Sequence, residues 1–358
     1  MHQVTASSIT FNIVYTPGTV RYLKIALFSL MDRSDFRFRL VGNGLGQQEA
    51  RELRALAATD SRLEVFFFSS PQMLPHGVVL SLLFRRFDDG AYFAFCDPDI
   101  FAVGPFQEHV LRALARGDVF SSCYHVGLKG EVVEGGFVGR CLYGPRRLPL
   151  ATTFFAVYRR AAVERVWRAW GIGFERYLFA EYVPEHVKQA LEHTGLFLPP
   201  FDTGKLLNVL MNLEGLRLYY EDLAGLCHIG GICRALEPRR DWRIQLRVEP
   251  LRLFARRCVI TDRRLRRLQR LYEQAGGRPG RRSAEAARLL ALRTCIAEYF
   301  AAYLKHLVDG APAPVMRLHQ RKLQRRLELM CRVIRAAYER FSGPARRASR
   351  MQRWRRAA

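Results

Sequence analysis

Apolar and polar positions alternate with a period of two along Thr10-Phe11-Asn12-Ile13-Val14-Tyr15-Thr16, and the run stops at Pro17-Gly18. Val20, Leu23, Leu27 and Leu30 then recur at helical spacing, so a strand, a turn and a helix follow one another. The pattern repeats. Residues 36–41 predict a strand with Gly42-Asn43-Gly44 behind it, 47–58 a helix, 63–68 a strand, 77–87 a helix, and 91–96 a wholly apolar, aromatic strand. Strands alternating with helices in this way predict an α/β fold. Its sheet is of Rossmann type, built from right-handed βαβ units that bind ligands at the carboxyl edge.

Beyond residue 100 the alternation loosens, which predicts a mixed second half of the sheet flanked by helices. Strands are expected at 118–124 and 152–158, a helix at 161–169, a helix following Asp202-Thr203-Gly204-Lys205 through Met211, and a strand at 217–220. His228-Ile229-Gly230-Gly231 reads as a loop. Near residue 237 the composition turns to arginine and leucine, which divides the chain into a ligand-binding α/β domain over 1–236 and a basic α-helical extension over 237–358. Arg278-Pro279-Gly280 and Ala311-Pro312-Ala313-Pro314 read as breaks between its helices.

Charge sharpens that division. Residues 1–230 hold 24 Lys and Arg against 23 Asp and Glu, whereas 231–358 hold 33 against 10, so almost the whole net charge of +24 lies in the last third. A hydrophobic fraction of 49% excludes a disordered chain. The eight cysteines show no CxxC spacing, which favours a reducing compartment over a disulfide framework or a zinc site. The N-terminus lacks a basic segment leading into an apolar one, and the uncharged stretch 65–84 is interrupted by Pro71, Pro75 and His76, so neither a secretory leader nor a membrane span is expected. A cytoplasmic protein follows as the expectation. No GxGxxG or GKS/GKT string occurs, which argues against dehydrogenase and P-loop chemistry.

Asp97-Pro98-Asp99 ends the aromatic strand and precedes a second apolar stretch, Ile100-Phe101-Ala102-Val103. Carboxylates at a strand end need water, a basic side chain or a hard cation such as Mg²⁺ or Mn²⁺, and a divalent ion holding a diphosphate is the sharper expectation. The plainer one is an Asx-type turn. Gly230 and Gly231 allow close backbone approach to phosphate oxygens, or simply a turn at positive φ.

A βαβ half ending in D-x-D at the fourth strand, with a late histidine before two glycines, resembles the GT-A-type nucleotide-sugar glycosyltransferases. The likeness covers residues 8–232 and is carried by Asp97, Asp99 and His228. It implies that these three hold Mn²⁺ or Mg²⁺ on the diphosphate of a UDP- or GDP-sugar. It further implies a nucleotide contact at Tyr15 and Thr16, a basic donor contact at Arg85, and an acceptor-binding or catalytic role for Asp202. The acceptor would be a glycan or a lipid-linked glycan. Asp202 also suits a cap for the helix that follows, and of Arg85 and Arg86 one is expected at the diphosphate and one in solvent.

The last helix spaces Leu323, Leu327, Met330, Ile334, Ala337 and Phe341 along one stripe and fills its other faces with arginine. Three partners remain open for it: an anionic membrane surface entered by the leucines, Phe341 and Trp354; the catalytic half itself; or, least expected for want of interleaved aromatics, nucleic acid. The overall expectation is a metal-dependent glycosyltransferase at the cytoplasmic face of a membrane. The rival is a noncatalytic or nucleic-acid-directed scaffold.

Overall fold

The computed structural model describes residues 4–70, 72–87, 90–123, 137–138, 142–236, 259–275 and 281–342. Strand β1 (Thr10–Tyr15) leads through α1 (Val20–Met31) to β2 (Arg37–Gly42), α2 (Gln47–Ala57), β3 (Leu63–Phe67), α3 (His76–Arg86) and β4 (Tyr92–Cys96). The first half therefore follows the expected alternation within a residue or two. After β5 (Ile100–Ala102), α4 (Gln107–Leu114) and β6 (Val119–Ser122), three two-residue strands form a side sheet: β7 (Phe137–Val138), β8 (Leu142–Tyr143) and β9 (Leu148–Pro149). The chain continues through β10 (Phe155–Arg159), α5 (Arg160–Trp170), α6 (Glu185–His193), α7 (Lys205–Leu213), β11 (Leu218–Tyr220), β12 (Leu226–His228) and α8 (Ile232–Leu236).

Seven strands make one mixed sheet in the order β11-β6-β10-β4-β1-β2-β3. Strands β3, β2, β1 and β4 are parallel, β10 runs antiparallel between β4 and β6, and β11 is parallel to β6. Strand order reverses between β1 and β4, the crevice where open sheets of this kind take ligands. One face carries Val14, Phe93, Phe95 and Tyr158 against α3, α5, α6 and α7. The opposite face carries Phe11, Ile13, Tyr15 and Phe155 against α1, α2 and α4. The aromatic β4, buried on both faces, is explained by this three-layer arrangement.

The basic region is α-helical where described: α9 (Asp262–Ala275), α10 (Arg281–Asp309) and α11 (Arg321–Ser342), with β13 (Val259–Thr261) and β14 (Val315–Arg317) paired in parallel. It shares a core with the sheet. Leu292, Ile296, Phe300, Leu304, Leu327 and Ile334 are buried in the same apolar cluster as α1 and β5. The Phe28 and Phe341 rings stack at 4.4 Å, Tyr22 donates to Asp309 at 2.6 Å, and Arg340 pairs with Asp32. Of the three partners left open for the last helix, packing on the catalytic half occupies Leu327, Met330, Ile334 and Phe341, whereas Leu329 stays exposed. Trp354 and the 278–280 break lie outside the described residues. No described helix is long and apolar enough to cross a membrane.

Candidate functional site

Asp97-Pro98-Asp99 is a tight turn between β4 and β5, closed by the Ile100 N–H on the Asp97 carbonyl at 3.2 Å. Proline at the second position supplies the φ that such a turn requires. The backbone makes this turn, which leaves both carboxylates to point elsewhere. The Asp97 N–H donates to the Phe154 carbonyl at 2.7 Å, which ties the turn to the start of β10.

Strand β12 pairs antiparallel with β5, placing His228 opposite Ile100, and the Ile229 N–H donates to the Asp99 carbonyl at 3.2 Å. His228 therefore ends a strand, where a loop was expected; a three-residue strand is too short to show periodicity in sequence. Its Nε2 lies 3.1 Å from Asp99 Oδ1 and 3.4 Å from Asp97 Oδ2, and one ligand atom from each of the three residues falls within 4.8 Å of the others. His228 and Asp99 are buried, with Asp97 partly open to solvent. The Phe154 ring lies 4.5 Å from the imidazole.

Burial by itself would lower the His228 pKa. The Asp99 charge, followed by hydrogen bonds to Asp97 and Asp99, more than reverses that and pushes it up to about 9. A proton thus occupies the position between the carboxylates until a cation competes for it. Because the folded state binds this proton more tightly than a free imidazole near 6.5, the stabilisation is complete below about pH 6.5 and is lost as pH rises through about 9. Metal-free protein in EDTA is expected to lose about 3 kcal/mol of unfolding free energy over that interval relative to His228→Gln. Denaturant titrations at several pH values measure this, and parallel profiles for the two proteins would refute it.

Two carboxylate oxygens and one imidazole nitrogen are a donor set that fits Mn²⁺, and Mg²⁺ less well. Cys96 and Cys233 lie close by, but burial, followed by the aspartate charges, holds their thiols well above the ordinary range, so they stay protonated.

The other expected residues divide into two groups. The parallel register of β1 and β4 ends with Ile13 opposite Cys96, so Tyr15 and Thr16 lie past the end of β4, at the sheet edge from which the aspartate turn also leaves. The Tyr15 hydroxyl is buried and meets no hydrogen-bond partner among the described residues, and its phenol is pushed up by burial and by Cys96 and Cys233. Gly230 and Gly231 have φ of 72° and 78°, a conformation that favours glycine, and Gly231 packs near Ala297 of α10. The Asp202 carboxylate is exposed and accepts the Thr203 N–H at 2.8 Å. Gly204, two residues on, abuts Thr153 beside Phe154, so this turn reaches the same sheet edge as the aspartates.

Arg85 is elsewhere. It lies exposed in the last turn of α3, with its guanidinium 4.7 Å over Trp167. Helix α3 runs opposite to β4, so its C-terminal turn meets the amino edge, about 15 Å of strand away from Asp97. The expected diphosphate contact by Arg85 is corrected on that ground, and Arg86, its exposed neighbour, shares the location. Sequence reasoning missed Phe154, whose carbonyl and ring hold the centre in place. It also missed Glu49, whose carboxylate accepts the Gly18 and Val20 N–H groups and fixes the turn behind Tyr15 and Thr16.

No protein-family model and no curated protein matches the chain. Similar solved structures include a mannosyltransferase from Pyrobaculum calidifontis in complex with GDP-Man and Mn²⁺, 14% identical over 93% of this chain and 86% of that one, TM-score 0.41. S. aureus TarS is 15% identical over 81% of this chain and 55% of that one, TM-score 0.37. The bifunctional glycosyltransferase WbbM is 10% identical over 62% of this chain and 40% of that one, TM-score 0.37. At these values the likeness carries no weight in the functional assignment.

Proposed function

We propose that this chain is a glycosyltransferase that uses a divalent cation to move a sugar from a nucleotide-diphosphate donor, a UDP- or GDP-sugar, to a glycan or lipid-linked acceptor. The observation that carries this is the convergence of Asp97, Asp99 and His228 at the carboxyl edge of the sheet, beside the crevice between β1 and β4. Those three residues would hold Mn²⁺ or Mg²⁺. When bound, the ion neutralises charge that develops on the departing diphosphate.

The chain's own residues do the rest. Tyr15 and Thr16 face the nucleotide, and the unpartnered Tyr15 hydroxyl gains a partner when the donor enters. Gly230 and Gly231 bring backbone close to phosphate oxygens. Asp202, open to solvent at the same edge, takes the proton of the acceptor hydroxyl. A panel of nucleotide sugars assayed for release of nucleoside diphosphate tests the reading. Turnover with one donor, abolished by EDTA and restored by Mn²⁺, is the expected result, and no release from any donor would count against it.

The cations left exposed on the basic region support a partner for it. Arg263, Arg266, Arg267 and Arg270 on α9, with Arg321, Lys322, Arg325 and Arg332 on α11, face solvent. We read them as an electrostatic contact with an anionic, cytoplasmic membrane surface, each cation adding on the order of 1 kcal/mol. Co-sedimentation with phosphatidylserine vesicles is expected to fall steeply as salt shortens the Debye length from about 10 Å toward 3 Å. Tight, salt-sensitive RNA binding without any nucleotide effect would favour the scaffold alternative.

A further inference from the structure

Just beyond the bridge between Tyr177 and Phe201, the residue before Asp202, the chain leaves three large side chains exposed. Leu178, Phe179 and Tyr182 are 41%, 56% and 66% exposed, and they fall within five residues of one another. The segment is held in place. The Tyr177 N–H donates to the Phe201 carbonyl at 2.7 Å, and the Phe201 N–H returns to the Tyr177 carbonyl at 2.8 Å. A single 3₁₀ turn over Ala180–Tyr182 is closed by the Tyr182 N–H on the Phe179 carbonyl at 3.2 Å, and Val183 behind it is buried. The Phe179 and Tyr182 rings meet edge to face at 5.8 Å. Two aromatic faces are thus presented to solvent on a braced backbone, next to the strand-like segment that carries Asp202.

We propose that Phe179 and Tyr182 form a stacking platform for the pyranose rings of an oligosaccharide acceptor, which leads its terminal hydroxyl toward Asp202. This rests on the transferase reading above and specifies its acceptor as a glycan chain. The C–H face of a pyranose packs on an aromatic ring, and its hydroxyls donate to carboxylates. Both partners are present: Glu181, exposed within the turn, and Asp202 beyond it.

Local charge selects this occupant over a lipid surface. Residues 175–202 contain Glu175, Glu181, Glu185, Glu192 and Asp202 against Arg176 and Lys188, an acidic stretch in a chain of net charge +24. An anionic bilayer would be repelled here and attracted at the C-terminal helices, so the two surfaces have different tasks.

The test uses the full-length chain and a Phe179→Ala/Tyr182→Ala double variant, whose exposed positions tolerate truncation. The probes are linear gluco-, manno- and galacto-oligosaccharides of about two to six residues, observed by saturation-transfer NMR, since each stacked ring adds contact area. Wild type is expected to saturate the longer members of one series, and the double variant to weaken that binding about tenfold or more. Mn²⁺- and nucleotide-dependent thermal stabilisation should be the same in both proteins. Failure of every series to saturate wild type, or equal saturation of the variant, overturns the platform. So does binding of wild type to vesicles, or its self-association, that is lost in the variant. Absence of nucleotide stabilisation in wild type overturns the transferase reading separately.

Discussion

Asp99→Ala leaves the protein folded and removes its response to nucleotide. In wild type, GDP or UDP at about 100 times its dissociation constant with Mn²⁺ present is expected to add about 3 kcal/mol to stability. In the variant that gain falls to the level seen in EDTA. Transfer drops by at least about 100-fold, the scale on which loss of one charge-stabilising group at a reaction centre is felt. The reason is geometric. Asp99 is buried and sits 3.1 Å from His228 Nε2, so its loss removes one ligand and also the main charge that holds the imidazole in place. Asp97→Ala removes the more open carboxylate, leaves the buried Asp99 and His228 in place and is expected to be the milder variant. Thermal shift with and without Mn²⁺ reads both effects, and nucleotide stabilisation retained by Asp99→Ala would count against the metal role.

Deleting residues 237–358 is expected to abolish folding of the α/β half as well as any surface contact. Eight side chains of α10 and α11 are buried in the shared core, Leu289, Leu292, Ile296, Phe300, Leu304, Leu327, Met330 and Ile334. At about 1.5–3 kcal/mol each they contribute about 12–24 kcal/mol of burial, more than the net stability of about 5–15 kcal/mol that proteins usually retain. Part of that burial is among the helices themselves, yet α1 would still expose Phe28 where Phe341 now lies. Helix α10 also packs beside Gly231, so the deletion removes support from the segment that positions His228. A 1–236 fragment should therefore bind hydrophobic dye and show no cooperative melt. A sharp transition for that fragment would establish an independent domain.

The first half of the fold was legible because its signals are local. Residues 10–96 write each strand as an apolar run and each helix as a 3.6-residue repeat, and the structure follows them within a residue or two. The aspartates were legible for the same reason, since two carboxylates at the end of a buried aromatic strand have no use in the core. What joins them was not. Strand β12 is three residues long and pairs with β5 across more than a hundred positions of sequence, so no periodicity announces it. The packing of α11 on α1 is equally non-local: its stripe showed that the helix buries one face, and could not show against what.

Arg85 is a different case, because the sequence contained the information. In a βαβ unit the helix returns antiparallel to the strands, so a residue in its last turn belongs to the amino edge. Applying that rule to the 77–87 repeat would have placed Arg85 away from the aspartates. Asp202 does not cap the helix after it: α7 begins behind Gly204 without a side-chain cap, and the Asp202 carboxylate accepts the neighbouring Thr203 N–H and remains exposed.

In the proposed transferase one cation is shared by the protein and a diphosphate. Electron spin-echo modulation of Mn²⁺ bound together with GDP or UDP observes both partners at once. It should show phosphorus coupling from the nucleotide and nitrogen coupling from an imidazole, the latter absent in His228→Gln. Phosphorus coupling with no nitrogen coupling in wild type, or nitrogen coupling unchanged in the variant, would contradict it.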